Sequence, residues 1–208
     1  MDVTIAGGHG QIALHLARLL AERGDSVRGL IRNPDHAPDL EALGAEAVVC
    51  DMEAESDLSS FVGDADAVVF AAGAGPGSGD ERKRTVDLGA AVKLMDAGVP
   101  RYLMVSSIGA GDPSGAPESM RAYQEAKGEA DRTLQGSGLD YTIVRPGKLT
   151  DSAATGHVAA GPDVERGDIP RADVALVLVA CLDDAGSIGK TFNAVGGDDP
   201  IDRAIAAL

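Results

Sequence analysis

The residues best equipped for chemistry in this chain are a tyrosine, a lysine and a pair of serines. Tyr123 and Lys127 stand four apart in "ESMRAYQEAKGEADRTL", so on a helix they share one face, with Met120, Ala130 and Leu134. That face reads as the apolar stripe, an expensive place for an ammonium that serves no purpose. Ser106 and Ser107 close the apolar run "RYLMVSS". A free phenol titrates near pH ~10, and moving it to neutrality takes about 4 kcal/mol of differential stabilisation. An ammonium within a few ångströms acts in that direction. Tyrosine would then give or take a proton at a substrate oxygen held by a serine hydroxyl. The same spacing also fits a core tyrosine beside a lysine that snorkels at the rim.

Elements that could hold these groups alternate along the chain. Apolar runs at "VTIA", "VRGLI", "EAVVC", "AVVFA", "RYLMVS", "YTIVR" and "TFNAV" read as strands. Helical patterns fall at 10–23, about 38–43, 56–62, 82–97, 117–135, 171–183 and near 200–208. Strands apolar throughout, separated by helices, predict a parallel sheet covered on both faces and wound through right-handed βαβ units. The fold class expected is α/β, a doubly wound parallel sheet of about seven strands in three αβα layers, with residues 1–208 forming one domain. The loops "AGAGPGSGD" (72–80) and "GAGDPSGAP" (109–117) each follow a strand, which puts them at the carboxyl edge of the sheet. Segment 148–169 is irregular and is expected to close over whatever binds there.

The first strand enters a glycine turn, Gly7-Gly8-His9-Gly10, and then the helical run Gln11, Ile12, Ala13. Gly7 permits a sharp turn, Gly10 leaves the helix start bare, and Ala13 lets the helix pack closely on the strand. The amides at such a start, with the helix dipole, attract a pyrophosphate without any basic side chain. His9 either points to solvent or packs against that ligand. The second strand ends "GLIRNPD", where Arg32 suits a 2′-phosphate and favours NADP over NAD, unless it is simply a solvent arginine. In "VVCDM", Asp51 could accept from an adenine amino group with Met52 against the ring; Asp51 as a turn residue is the equal alternative. Ala72 and Gly73 are small, as backbone beside a cofactor requires. Pro146 fixes the exit of "YTIVRPG", and amides at Gly147 could grip a carboxamide.

Bulk composition narrows the function classes. A net charge of −15 argues against nucleic acid and anionic membranes as partners. No apolar run approaches the ~18 residues of a membrane span. The start of the chain shows no signal-like segment, so the expectation is a cytoplasmic protein. Cys50 and Cys181 have apolar neighbours and no metal-like spacing, and both read as buried free thiols; no metal site is expected. Three Phe, three Tyr and no Trp disfavour a pocket for flat aromatic substrates. His157 in the closing segment could touch a substrate, but reads first as a solvated loop histidine.

Taken in order, "GGHGQIA", "IRNP", "FAAG", "VSS", "YQEAK" and "VRPG" resemble the short-chain dehydrogenase/reductase family, whose fold is the Rossmann fold. The short length and "YTIVRPG" are similar to its atypical branch of NmrA-like and flavin or biliverdin reductase-like proteins. The resemblance implies catalytic positions at Tyr123, Lys127 and Ser107 or Ser106, with Lys127 also on the ribose hydroxyls. It implies a cofactor along Gly7, Gly10, Arg32 and Gly147, NADP preferred and NAD open, and a small-molecule substrate. The first turn departs from the family's T-G-x-x-G, and no relay asparagine is evident. The leading expectation is an oxidoreductase moving hydride to or from a small carbonyl or conjugated substrate. An epimerase or isomerase on the same fold, and a non-catalytic redox sensor, are the alternatives.

Overall fold

The computed structural model describes residues 1–75 and 77–208. Pro76, in the loop expected over 72–80, lies outside the described residues. Among the described residues nine strands form the main sheet, in the order β11 (Asp199–Pro200), β8 (His157–Gly161), β10 (Lys190–Gly196), β6 (Asp140–Pro146), β5 (Arg101–Val105), β4 (Ala67–Phe70), β1 (Asp2–Ala6), β2 (Ser26–Ile31), β3 (Glu46–Val49). The expected strands are all present: β1 (Asp2–Ala6), β2 (Ser26–Ile31), β3 (Glu46–Val49), β4 (Ala67–Phe70), β5 (Arg101–Val105), β6 (Asp140–Pro146) and β10 (Lys190–Gly196). These pair in parallel throughout. The expected number, about seven, is too low. Segment 148–169 contributes β7 (Lys148–Thr150), β8 (His157–Gly161) and β9 (Asp168–Pro170), and β11 is Asp199–Pro200. Strand β8 runs antiparallel to β10 and carries β11 on its other side, while β7 and β9 form a separate parallel pair.

Strand side chains alternate between two cores. Val3, Ile5, Val69 and Leu103 join the cluster beneath helices α1 (Gln11–Glu22), α7 (Arg171–Asp183) and α8 (Ile201–Ala206). Short α2 (Ala37–Glu41) closes that side with Leu40. Leu16 and Leu20 of α1 are wholly buried there, each worth about 2 kcal/mol. Val68, Phe70, Tyr102 and Met104 face the opposite way, toward α3 (Ser59–Val62), a helix over 80–95, and α6 (Glu118–Gln135). The middle helix is composite: α4 (Asp80–Arg82), π-helical turns at Lys83–Ala90, then α5 (Ala91–Met95).

Helix α6 departs from its expected stripe. Met120 is exposed, whereas Gln124, Lys127, Gly128, Ala130, Asp131 and Leu134 are buried. The buried face therefore carries an amide, an ammonium and a carboxyl, because opposing side chains supply partners for the charges.

The chain runs β1-β2-β3 outward, then returns to β4 beside β1 and continues to β5 and β6. The strand order reverses between β1 and β4, so the loops leaving these two strands diverge and open a trough at the carboxyl edge.

Candidate dinucleotide and catalytic site

A cavity of about 310 Å³ opens at that reversal. Gly7, His9, Gly10, Arg32, Asp51, Met52, Ala72 and Gly73, all expected there, line it together with Asn33, His36, Glu53 and Arg82. The glycines divide the work. A Cβ on Gly7 would lie 2.7 Å from Ala72 Cα, on a residue whose φ of +79° already disfavours a side chain. Gly8 packs on Gly29, where its Cβ would meet Cα at 2.8 Å, and its amide donates to Leu30 O at 2.9 Å. Gly8 therefore serves the sheet and does not line the cavity. Gly10 is exposed and caps α1 without any side-chain hydrogen bond. The first amides of that helix have no intrahelical acceptor, and no acidic residue stands in its first turn. This bare cradle fits a pyrophosphate. Ile12 is buried in the core, so only its amide, with that of Gln11, can face a ligand.

At the far end of the cavity, His9 stacks on His36 with ring centroids 3.6 Å apart, and its Nε2 lies 2.7 Å from Asp39 Oδ2. Arg32 Nη1 donates to Glu53 Oε2 at 3.3 Å. Asp51 forms a turn, the alternative its position allowed: Oδ1 accepts from Glu53 N at 3.0 Å, while the residue still lines the cavity. Burial, with Glu55 and Asp51 nearby, pushes the Cys50 thiol up to about 11, so it stays neutral beside the trough.

The chemistry-bearing residues lie outside this cavity, along the rim toward β5. Lys127 is buried; its ammonium donates to Val105 O at 3.1 Å and to Ala72 O at 3.3 Å, and it lies 3.4 Å from Asp87 Oδ1 as an ion pair. In this position it ties together the exits of β4 and β5. Asp87, from the π-helical turns, is fully buried and accepts from Ala74 N at 3.2 Å through its other oxygen. A buried ammonium persists because this carboxylate neutralises it.

Ser106 and Ser107 separate in role. Ser106 is buried and its hydroxyl neighbours the Asp131 carboxyl. Burial raises the pKa of Asp131, against the opposing influence of Ser106 and of Arg145, whose Nε donates to Oδ2 at 2.9 Å. Ser107 is half-buried, with its hydroxyl donating to Ile108 O at 3.2 Å. Tyr123 is half-buried, and its hydroxyl has no hydrogen-bond partner among the described residues. Pro146 and Gly147 stand at the β6 exit, where Gly147 N donates to Ala194 O and Lys148 N to Gly167 O, at 2.9 and 2.8 Å. Both amides are engaged, so the expected grip on a carboxamide is not open to them. A Cβ on Gly147 would overlap the Gly167 carbonyl, so its smallness serves β7 and β9.

Sequence reasoning missed Glu53, Arg82, Asp87, Asp131 and Arg145. Asp131 alone carried a signal, an acid four residues after Lys127 on the same helix face.

A glycine turn feeding a bare helix start, at the reversal point of a parallel sheet, defines an NAD(P)-binding Rossmann-type domain. The NAD(P)H-binding family model matches residues 7–185, and the chain belongs to that family. It is similar over its whole length to the uncharacterized sugar epimerase YhfK of Bacillus subtilis, at 37% identity and 100% coverage of both chains. A structure from Bacillus halodurans named for an NAD-dependent epimerase/dehydratase superposes with a TM-score of 0.94, at 39% identity and 100% coverage of both. The oxidoreductase ylbE from Lactococcus lactis gives a TM-score of 0.88 at 28% identity, covering 100% of this chain and 96% of that one. The fold is thus that of NAD(P)-binding oxidoreductases and epimerases, and no helix among the described residues is long and apolar enough to cross a membrane.

Proposed function

We propose that the protein is an NADP-preferring oxidoreductase that reduces or oxidises a small carbonyl or conjugated substrate in the cytoplasm, without nucleic acid or membrane partners. The observation that carries this reading is the joint placement of Lys127. Its ammonium is fastened to Ala72 O, on the wall of the trough, and to Val105 O, one residue before the serine pair. It joins the place where a dinucleotide fits to the place where a substrate oxygen could be held.

When bound, the reduced nicotinamide supplies the hydride. The chain's own residues handle the oxygen. Ser107 turns its hydroxyl from Ile108 O toward a substrate carbonyl and donates a hydrogen bond. Tyr123, whose hydroxyl is otherwise uncommitted, transfers its proton to that oxygen as the neighbouring carbon is reduced, and regains one from solvent. Lys127 acts as a positioning residue that fixes both strand exits, with Asp87 balancing its charge.

Replacing Tyr123 with Phe should lower kcat by about 10²–10⁴-fold while NADPH affinity stays nearly unchanged. Retained turnover in Y123F would reject the proton-transfer role. Redox-neutral epimerisation is the second reading, favoured by the names of the two full-length relatives. Against it, segment 148–169 is built into the sheet edge and a two-stranded pair, leaving little chain for a nucleotide-sugar domain. Net NADPH consumption with a carbonyl acceptor supports reduction, whereas sugar interconversion without net consumption supports epimerisation.

A further inference from the structure

We propose that Glu53 sets the choice between the two nicotinamide dinucleotides: it holds Arg32 and Arg82 as a ready-paired clamp that a 2′-phosphate takes over from it. The inference rests on the cofactor reading above and adds the residue that tunes it.

Glu53 is fixed before its side chain is considered. Its amide donates to Asp51 Oδ1 at 3.0 Å, and its carbonyl accepts from Lys93 Nζ at 2.9 Å. Lys93 also holds Met52 O and Glu55 O, at 2.9 and 2.6 Å, so the whole turn after β3 is clamped to α5. From that base the carboxylate reaches two guanidiniums on different elements. Oε2 accepts from Arg32 Nη1 at 3.3 Å and from Arg82 Nε and Nη2, both at 3.2 Å. Oε1 accepts from Thr85 Oγ1 at 2.7 Å. Arg32, Glu53 and Arg82 all line the trough.

One carboxylate oxygen is thus shared by two cations, at distances longer than the 2.7–2.9 Å usual for charge-assisted pairs. Each guanidinium keeps N–H groups that Glu53 does not engage. A phosphate dianion presents three oxygens and matches two planar forks better than one shared oxygen does. A ribose 2′-hydroxyl brings no charge and gains little from them. The retained Glu53 carboxylate repels a phosphate dianion beside it and keeps the local charge of the three groups at +1 in place of +2. Glu53 therefore organises the arginines and at the same time moderates the preference for NADP. In a chain with a net charge of −15, an arginine pair here supplies the local positive potential that a 2′-phosphate needs.

The test is direct binding of NADPH and NADH, followed by nicotinamide fluorescence at one ionic strength, in the wild type, Glu53→Gln and Arg82→Ala. E53Q keeps the shape of the side chain and its hydrogen-bonding oxygen. It should tighten NADPH about tenfold and leave NADH within about twofold. R82A should weaken NADPH about tenfold and again spare NADH. If E53Q instead weakens NADH, the carboxylate serves a ribose hydroxyl and the proposal is overturned. An NADPH/NADH ratio unmoved by both substitutions overturns it too, with the cofactor reading intact. A wild type that binds neither dinucleotide overturns both.

Discussion

The two ends of the site are made of opposite materials. At the glycine turn it is bare backbone that faces the trough, since α1 starts at Gly10 with no side-chain cap and nothing acidic stands in its first turn. At the β5 end the work falls to side-chain pairs, buried Lys127 against buried Asp87 and half-buried Arg145 against buried Asp131. The first end asks for the absence of side chains, and so leaves a spacing that survives in the sequence. The second asks for partners that meet only in three dimensions. Asp87 arrives from the π-helical turns at Lys83–Ala90, far from Lys127 along the chain, so no local pattern joins them.

The division can be broken most forcefully at the buried pair. Lys127→Ala leaves the buried Asp87 carboxyl without its counter-ion, and the expected loss is about 3–5 kcal/mol of stability by urea unfolding. Adding Asp87→Asn should recover a substantial part of that loss in a double-mutant cycle. Additive losses would mean that the 3.4 Å pair carries no coupling.

The glycine end sharpens the contrast at smaller amplitude. Gly7→Ala must take a positive φ and press a methyl group on the Ala72 backbone, so its stability should fall by about 1–3 kcal/mol. Gly10 has a φ of −66°, open to any residue, and the nearest atom to its Cβ would be Gly7 O at 3.2 Å. Gly10→Ala should change stability by less than about 1 kcal/mol and weaken NADPH binding by about tenfold or more. Thermal melts and NADPH titrations of both variants check the pair. If Gly10→Ala unfolds the protein while Gly7→Ala only weakens the cofactor, the two glycines have been assigned the wrong roles.

The same contrast describes what could be read from the sequence. The seven parallel strands were legible because each is an apolar run flanked by turn residues, and their parallel pairing followed from alternation with helices; the reversal between β1 and β4 is seen only in the folded sheet. The trough residues Gly7, Gly10, Arg32, Asp51, Met52, Ala72 and Gly73 stand at strand ends and are brought together there. Strands β7, β9 and β11 were not legible, being two or three residues long, and β8 lacks the β-branched apolar run that marks the others. Strand β8 gains its identity only by pairing with β10, Asn193 opposite Gly161. Gly147 misleads for a related reason. Its bareness looks the same in sequence whether a ligand or the Gly167 carbonyl lies against it. On α6, Met120 falls in the stripe by its spacing, because apolar spacing cannot show that Lys127 and Asp131 find buried partners.

The most direct test of a dinucleotide lying along the carboxyl edge is a heteronuclear NMR titration of the backbone amides with NADPH. The shifts should concentrate at Gly10, Gln11, Ile12, Arg32, Met52, Ala72 and Gly73, extending to Ser107. The cleft at the opposite edge of the sheet, lined by Asp2, Ser26, Arg28, Glu46 and Asp64, should stay unperturbed. Perturbation confined to that opposite cleft, or an unmoved glycine turn at saturating NADPH, would contradict the placement.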